Sequence, residues 1–302
     1  MKDVVVIGAG FWGAAISRKL GRAKLTYTVI DNELPIGGSR NSGAYTCLRW
    51  FSSGTVLKQL QPTWTKDRIE HWVNWLIRQG YLESVGQWVY NKRLDTWKRY
   101  DDCYIMKDVN AFTNKTKNLY HDRVTHIKQK DDYCQIYMNA SSPVKARHIV
   151  LATGAWTDNL LSQSGMNPIG VEGLNGRAII VEPEFKVIKK RIEWAREVIS
   201  VSVRPFKNYD LLPNSKKWWY FGATTEKTES QKAFDEMIGA AKLVLGPDVR
   251  IRGTVTGVRP IFGKGVVKVS ERIIAATGGG RIGLALAGPA ADDCIRLLKE
   301  SM

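Results

Sequence analysis

Three glycines and one acid near the start of the chain have the types and spacing to hold two phosphates and a ribose. Gly8-Ala9-Gly10-Phe11-Trp12-Gly13 reads G-x-G-x-x-G. The apolar run Val4-Val5-Val6-Ile7 precedes it and suits a buried parallel strand. Ala14 to Leu20 follows as a helix, and Tyr27-Thr28-Val29-Ile30 forms a second apolar strand ending at Asp31. Each part of this unit has a physical task. Gly8 permits the tight turn, Gly10 lets a pyrophosphate reach the backbone, and Gly13 lets helix and strand pack closely. The helix start offers N–H groups and a positive dipole end to the phosphates. Asp31 stands where a carboxylate accepts hydrogen bonds from a ribose 2′-OH. The unit predicts a dinucleotide site. The acid disfavours a 2′-phosphate and hence NADP; FAD and NAD both remain.

Two further strands end in glycine-rich turns. Ala146–Ala152 leads into Thr153-Gly154, with Trp156 just beyond, and Arg272–Ala276 leads into Thr277-Gly278-Gly279-Gly280. Ile282 to Leu298 then reads as a closing helix whose glycine-rich start faces a ligand. In an open α/β sheet, ligands collect at the carboxyl ends of strands. The loop from Asn32 to Gly43 is rich in turn residues and backbone donors.

Other segments supply the frame. Thr65 to Gln79 reads as a helix, with Ile69, Trp72, Val73 and Leu76 on one core-facing side. Short strands are predicted at Gln87–Tyr90, Cys103–Met106, Arg123–Lys128 and Tyr133–Met138. Strands also occupy 176–225, interrupted by a charged helical piece at Ile188–Arg196 and including the aromatic run Trp218–Phe221. Glu229 to Leu245 reads as a helix.

The 302 residues suit one large domain or two interleaved ones. No apolar stretch has the length of a membrane span. The first strand begins at once, without a signal peptide, and a cytoplasmic protein is expected. Cys47, Cys103, Cys134 and Cys294 show no C-x-x-C or metal-ligand spacing, and the four histidines form no metal motif, so no metal is expected. A net charge of +16 favours acidic substrates, nucleic acid or anionic surfaces. The basic residues are dispersed, with one dense cluster at Lys186, Lys189, Lys190 and Arg191. A solvated basic face is the preferred reading over a nucleic-acid footprint.

Several ordered motifs carry a family resemblance. They are Gly38-Ser39-Arg40-Asn41-Ser42-Gly43, Ile149–Trp156 with its A-x-G-A-W ending, Tyr209-Asp210-Leu211-Leu212-Pro213 and Tyr220–Glu226. Gly257-Val258-Arg259-Pro260 and Gly280-Arg281-Ile282-Gly283-Leu284 complete the set. With the N-terminal fingerprint, they resemble the D-amino-acid oxidase superfamily of FAD-dependent oxidoreductases, in particular its glycine oxidase and sarcosine oxidase branch. The resemblance implies an α/β fold. A Rossmann-like FAD-binding domain (1–80, 118–165 and 257–302) would interleave with a smaller mixed or antiparallel β-sheet substrate domain (81–117 and 166–256). It implies FAD rather than NAD, held non-covalently, since no cysteine lies near Arg259.

The resemblance also assigns roles. Arg259 would bind a substrate carboxylate, Arg281 would lie near flavin and substrate, and Tyr209 would line the pocket. FAD would be held by Gly8, Gly10, Phe11, Trp12 and Gly13, by Asp31 and Asn32, and by Ser39, Arg40 and Asn41. Val124, Thr153, Gly154 and Trp156 would add to the cradle, closed by Gly279, Gly280, Arg281, Ile282 and Gly283. The implied activity is oxidation of the C–N bond of a small amine or amino acid by hydride transfer to the flavin. Besides the missing cysteine, two features depart from the pattern. Ile261-Phe262-Gly263 stands where an Asp-Gly pair is usual, and the segment 82–120 is short. Two alternatives stay open: a large acidic substrate such as a modified tRNA base, and a non-catalytic flavin-binding partner protein.

Overall fold

The structure is a computed structural model that describes residues 1–33, 37–39, 44–51, 61, 63–84, 87–91, 96–100, 103–113, 116–182, 199–205, 219–224, 227, 230–245 and 247–302. The chain opens with β1 (Lys2–Ile7), α1 (Phe11–Arg22), β2 (Tyr27–Asp31), β3 (Tyr45–Cys47) and α2 (Lys66–Arg78). Next come β4 (Leu82–Ser84), β5 (Gln87–Asn91), β6 (Thr96–Tyr100), β7 (Cys103–Met106) and α3 (Val109–Thr113). β8 (Leu119–His121), β9 (Val124–Gln129), β10 (Cys134–Met138), β11 (Val144–Leu151) and α4 (Thr157–Gln163) follow. The last third holds β12 (Glu172–Glu182), β13 (Ile199–Pro205), β14 (Trp219–Thr224), α5 (Gln231–Leu245) and β15 (Arg250–Ile261). β16 (Val266–Lys268), β17 (Ile273–Ala276) and α6 (Gly283–Ser301) close it.

The main sheet runs β16-β17-β11-β1-β2-β8. β1 is parallel to both β2 and β11, β11 is parallel to β17, and β2 to β8. The all-apolar Val4–Ile7 run is explained by burial on both faces. Val4 and Val6 pack into the core formed with α1, α2 and α6. Val5 and Ile7 pack on the other side against Ile127, Cys134 and Ile136. Those residues belong to an antiparallel meander in which β10 joins β9 to the first half of β11. The chain leaves β1 for β2 on one side and returns through β11 on the other. The ends of β1 and β11 are therefore a topological switch point, where α/β sheets open a crevice.

α6 is fixed by indole contacts. Trp72 Nε1 donates to the Leu284 carbonyl at 3.0 Å, and a side chain at Gly288 would overlap the Trp72 ring. The buried Asp293 carboxylate accepts from Trp64 Nε1 at 2.7 Å, Thr63 Oγ1 at 3.1 Å and Arg68 Nη2 at 3.1 Å. These bonds staple the start of α2, capped by Thr65, to α6.

A second, antiparallel sheet has the order β13-β14-β12-β15. β12 pairs with β15 along its whole length. Ile179, Val181 and Phe221 face α5, packing on Met237 and Ala241. Successive strand residues alternate faces, so Gly176, Ala178, Ile180, Tyr220, Gly257 and Arg259 share the opposite face. β3-β7-β4 and the β5–β6 hairpin make two small sheets.

His148, on β11, is only 3% exposed. Burial, and then the charges of Arg272, Lys268 and Arg147, hold its imidazole below the ordinary histidine value. The unfolded chain therefore takes up this proton at a higher pH than the folded one. Stability is expected to fall as pH drops below about 6.5, until the lowered folded-state value is reached. Urea midpoints measured from pH 7.5 to 5 should fall less in His148→Leu than in the parent. Parallel profiles would remove His148 as a cause.

Candidate cofactor and substrate site

The crevice at the switch point is a cavity of about 420 Å³. Three glycine-rich strand ends form its walls. At the first, Gly10 caps α1 with extended backbone and no side-chain cap, leaving the helix start to other partners. Gly8 has φ +100° and lies against Ala152, whose carbonyl carbon would be 2.7 Å from any Cβ there. Ala9 N–H donates to Asp31 Oδ2 at 2.6 Å and Glu33 N–H to Asp31 Oδ1 at 2.7 Å. The carboxylate is thus held at the tip of β2. Phe11 N–H donates to Ser39 Oγ at 3.0 Å.

The other strand ends are tied to the first. Trp12 Nε1 donates to the Gly283 carbonyl at 2.8 Å, and its ring meets Trp64 edge-on at 5.7 Å. Thr277 Oγ1 donates to the Gly154 carbonyl at 2.9 Å. Gly278 and Gly280 have positive φ, as their tight turn requires. A short 3₁₀ turn, Gly280–Ile282, precedes α6.

At its second-sheet end the cavity is lined by Gly176, Tyr220, Gly222, Gly257 and Arg259. Arg259 Nη1 reaches across β12 and donates to the Thr224 carbonyl at 2.9 Å and the Asn175 carbonyl at 3.4 Å. Among the described residues its guanidinium is fixed by backbone, with no carboxylate partner.

Residues 110–296 match the family described as FAD dependent oxidoreductase. The chain belongs to that family. Residues 2–182 also match the family described as pyridine nucleotide-disulphide oxidoreductase, a match that spans the N-terminal fingerprint. No curated protein matches this chain by sequence.

Among solved structures, iminodiacetate oxidase from Chelativorans sp. BNC1 superposes with a TM-score of 0.74 at 16% identity. The match covers 98% of this chain and 95% of that one. Glycine oxidase from Bacillus cereus gives 0.73 at 14%, over 100% and 98%. L-α-glycerophosphate oxidase from Mycoplasma pneumoniae, with FAD bound, gives 0.73 at 15%, over 99% and 94%. At these identities the likeness establishes the fold, an α/β FAD-binding one.

The cavity of this FAD-dependent oxidoreductase suits its cofactor. Bare glycine backbone at 8, 10 and 278–280 lines it, two helix starts converge on it, and an acid stands at the end of β2. Its size falls within the range for cofactor sites.

Most of the expected site residues line this cavity: Gly8, Gly10, Phe11, Trp12, Asp31, Asn32, Ser39, Val124, Thr153, Gly154, Trp156, Gly279, Gly280, Gly283 and Arg259. Gly13 and Ile282 do not line it. Gly13 lies beneath the turn, against Gly8, and Ile282 packs on the core around α6. The expected free helix start is partly occupied, because Ser39 takes the Phe11 N–H. Arg40, Asn41 and Tyr209 lie outside the described residues, as does the basic cluster 186–191; for Arg281 only the backbone is described.

Sequence reasoning missed Asp122, Arg123, Asn159, Gln163 and Gly176 in the lining. The Asp122 carboxylate accepts from the Arg123, Ala140 and Ser141 N–H groups, and hydrogen bonding to Ser141 does most to hold its acid below the usual range. It clamps the turn that leads into Val124. The sequence signal for Gly176 was its place inside a strand, which marks a close approach.

Proposed function

We propose that this FAD-dependent oxidoreductase dehydrogenates the C–N bond of a small amine or amino acid bearing a carboxylate. The observation that carries the reading is Arg259. Its Nη1 is spent on two backbone carbonyls, while Nε and Nη2 have no partner among the described residues. An always-charged planar fork offering two parallel donors suits a carboxylate. Neighbours of this fold include enzymes named for carboxylate-bearing amines, iminodiacetate and glycine.

When bound, FAD supplies the hydride acceptor. The rest falls to the chain. The turn Gly8–Gly13 and the start of α1 would receive the pyrophosphate, and Asp31 with Asn32 the adenosine ribose. Val124 would flank the adenine. Thr153–Trp156 and Gly279–Gly283 would cradle the flavin, with Ser39 beside the first turn. Arg259 would orient the substrate from the second sheet, with Tyr220 as a buried wall. The roles of Arg40, Asn41, Tyr209 and Arg281 rest on the family resemblance.

The test is spectroscopic. The purified flavoprotein is mixed, without oxygen, with amino acids, N-substituted glycines, the matching 2-hydroxy acids and the matching decarboxylated amines. Bleaching of the visible flavin band by a carboxylate-bearing amine, and not by its decarboxylated counterpart, is expected. Bleaching by hydroxy acids alone, or by nothing in the panel, overturns the reading.

A further inference from the structure

We infer that Gly176 is a positioning residue for Arg259: it is a glycine because the guanidinium lies where its side chain would be. This rests on the carboxylate-anchoring role proposed above for Arg259. Gly176 sits inside β12, paired with Gly257 on β15. Its backbone is not in the left-handed region, so nothing in its conformation calls for glycine. Glycine inside a strand lowers stability, both through lost chain entropy and through the missing packing surface. The position therefore carries a cost that conformation does not explain.

Space explains it. A Cβ built on Gly176 overlaps Arg259, and its three nearest neighbours are all guanidinium atoms: Nη1, Nη2 and Cζ, the last at 2.6 Å. No backbone atom is among them. Gly222 is different, because its φ of +154° and the Ala178 backbone both exclude a side chain. At Gly13 the obstacle is the Gly8 backbone. The nearest obstacle at 176 is the guanidinium, and a guanidinium can move. A methyl group at 176 would lift it off β12, away from the Thr224 and Asn175 carbonyls that hold Nη1. The fork would then lose its fixed direction while the sheet keeps its shape.

The same geometry defines what Gly176 does for binding. With Nη1 anchored, the guanidinium cannot turn, and Nε and Nη2 stay aimed as a pair. A pre-oriented fork spends less entropy on gripping a carboxylate than a free one. Gly176 is thus part of the pre-organisation of the substrate end, although it offers no donor of its own.

The experiment is a titration of the flavin-replete protein with acetate, read through perturbation of the visible flavin band. Gly176→Ala is expected to raise the acetate Kd roughly tenfold, the loss of about one charge-assisted hydrogen bond. In an Arg259→Ala background, G176A is expected to add nothing. An unchanged Kd in G176A, with R259A weakening acetate, overturns the positioning role and leaves the carboxylate reading standing. Equal effects of G176A in both backgrounds also overturn it, since the effect would then not pass through Arg259. Acetate that binds equally well to R259A overturns the carboxylate reading itself.

A spectroscopic signature of the parent protein keeps the inference testable should G176A fail to fold. The side-chain ¹⁵N resonances of Arg259 are assigned by their loss in Arg259→Lys. Separate Nη1 and Nη2 signals are expected for a guanidinium held on one side. A single averaged signal overturns the inference.

Discussion

Gly13→Val should yield a protein that purifies colourless and unfolds at a lower temperature than its parent. A Cβ at position 13 overlaps the Gly8 carbonyl oxygen and comes within 2.9 Å of the Gly8 carbonyl carbon. Both are backbone atoms in the turn between β1 and α1. No side-chain rotation relieves the clash, so α1 must move away from the end of β1. That movement opens the core where Val4, Val6, Ala14 and Ile16 pack. Overpacking of this kind costs about 3 kcal/mol, or roughly 5 °C in Tm for a chain of this size. The cofactor is lost for the same reason, because α1 carries the N–H groups that face the cavity. Losing bound FAD removes its own contribution to stability as well.

Gly10→Val offers an internal comparison. There the obstacle is the Ser39 hydroxyl at 2.8 Å, which can rotate away. G10V should lose FAD with a smaller loss of apoprotein stability. The visible spectrum and thermal unfolding of the two variants check the ordering. A yellow G13V chain with the parent Tm would remove the turn from the site.

The reading of the first thirty-one residues needed little beyond local chemistry. An apolar run with no alternation must be buried on both faces, and Val4–Ile7 is. The helix at Thr65–Gln79 was legible because Ile69, Trp72, Val73 and Leu76 repeat on one face, and it forms as Lys66–Arg78 between those two caps. α1 was expected from Ala14 and begins earlier, at Phe11, because Gly10 itself caps it. α3 was not foreseen; five residues give periodicity too little length.

What stayed hidden has one common property: it depends on partners far apart in the chain. Trp12 looks like a bulky guest in a glycine motif, yet its indole N–H reaches Gly283. Asp122 looks like a turn residue, yet it gathers N–H groups from the β10–β11 turn. Gly176 looks like a weak point in a strand until Arg259 is laid across it. Motifs named residues that line the cavity, but the residues that hold them in place carry no motif.

Arg259→Ala should raise KM for a carboxylate-bearing amine by roughly a hundredfold while FAD remains bound. A charge-assisted hydrogen bond is worth about 1.5–3 kcal/mol, and a two-donor fork places the loss near 2.7 kcal/mol, or two factors of ten. FAD should stay because the dinucleotide turns belong to the main sheet, whereas Arg259 reaches the cavity from the second one. Removing the guanidinium also strips a donor from the Thr224 and Asn175 carbonyls, so a modest drop in Tm is expected. Arg259→Lys separates charge from geometry. Its ammonium keeps the charge but offers no planar fork, and its KM should fall between those of the parent and R259A. Charge alone would make R259K equal to the parent, and fork geometry alone would make it equal to R259A. Steady-state kinetics with the substrate found by anaerobic bleaching, alongside its decarboxylated counterpart, distinguish these outcomes. If R259A leaves KM for the carboxylate-bearing amine where it was, the second sheet does not hold the carboxylate, and the substrate must be anchored from elsewhere in the cavity.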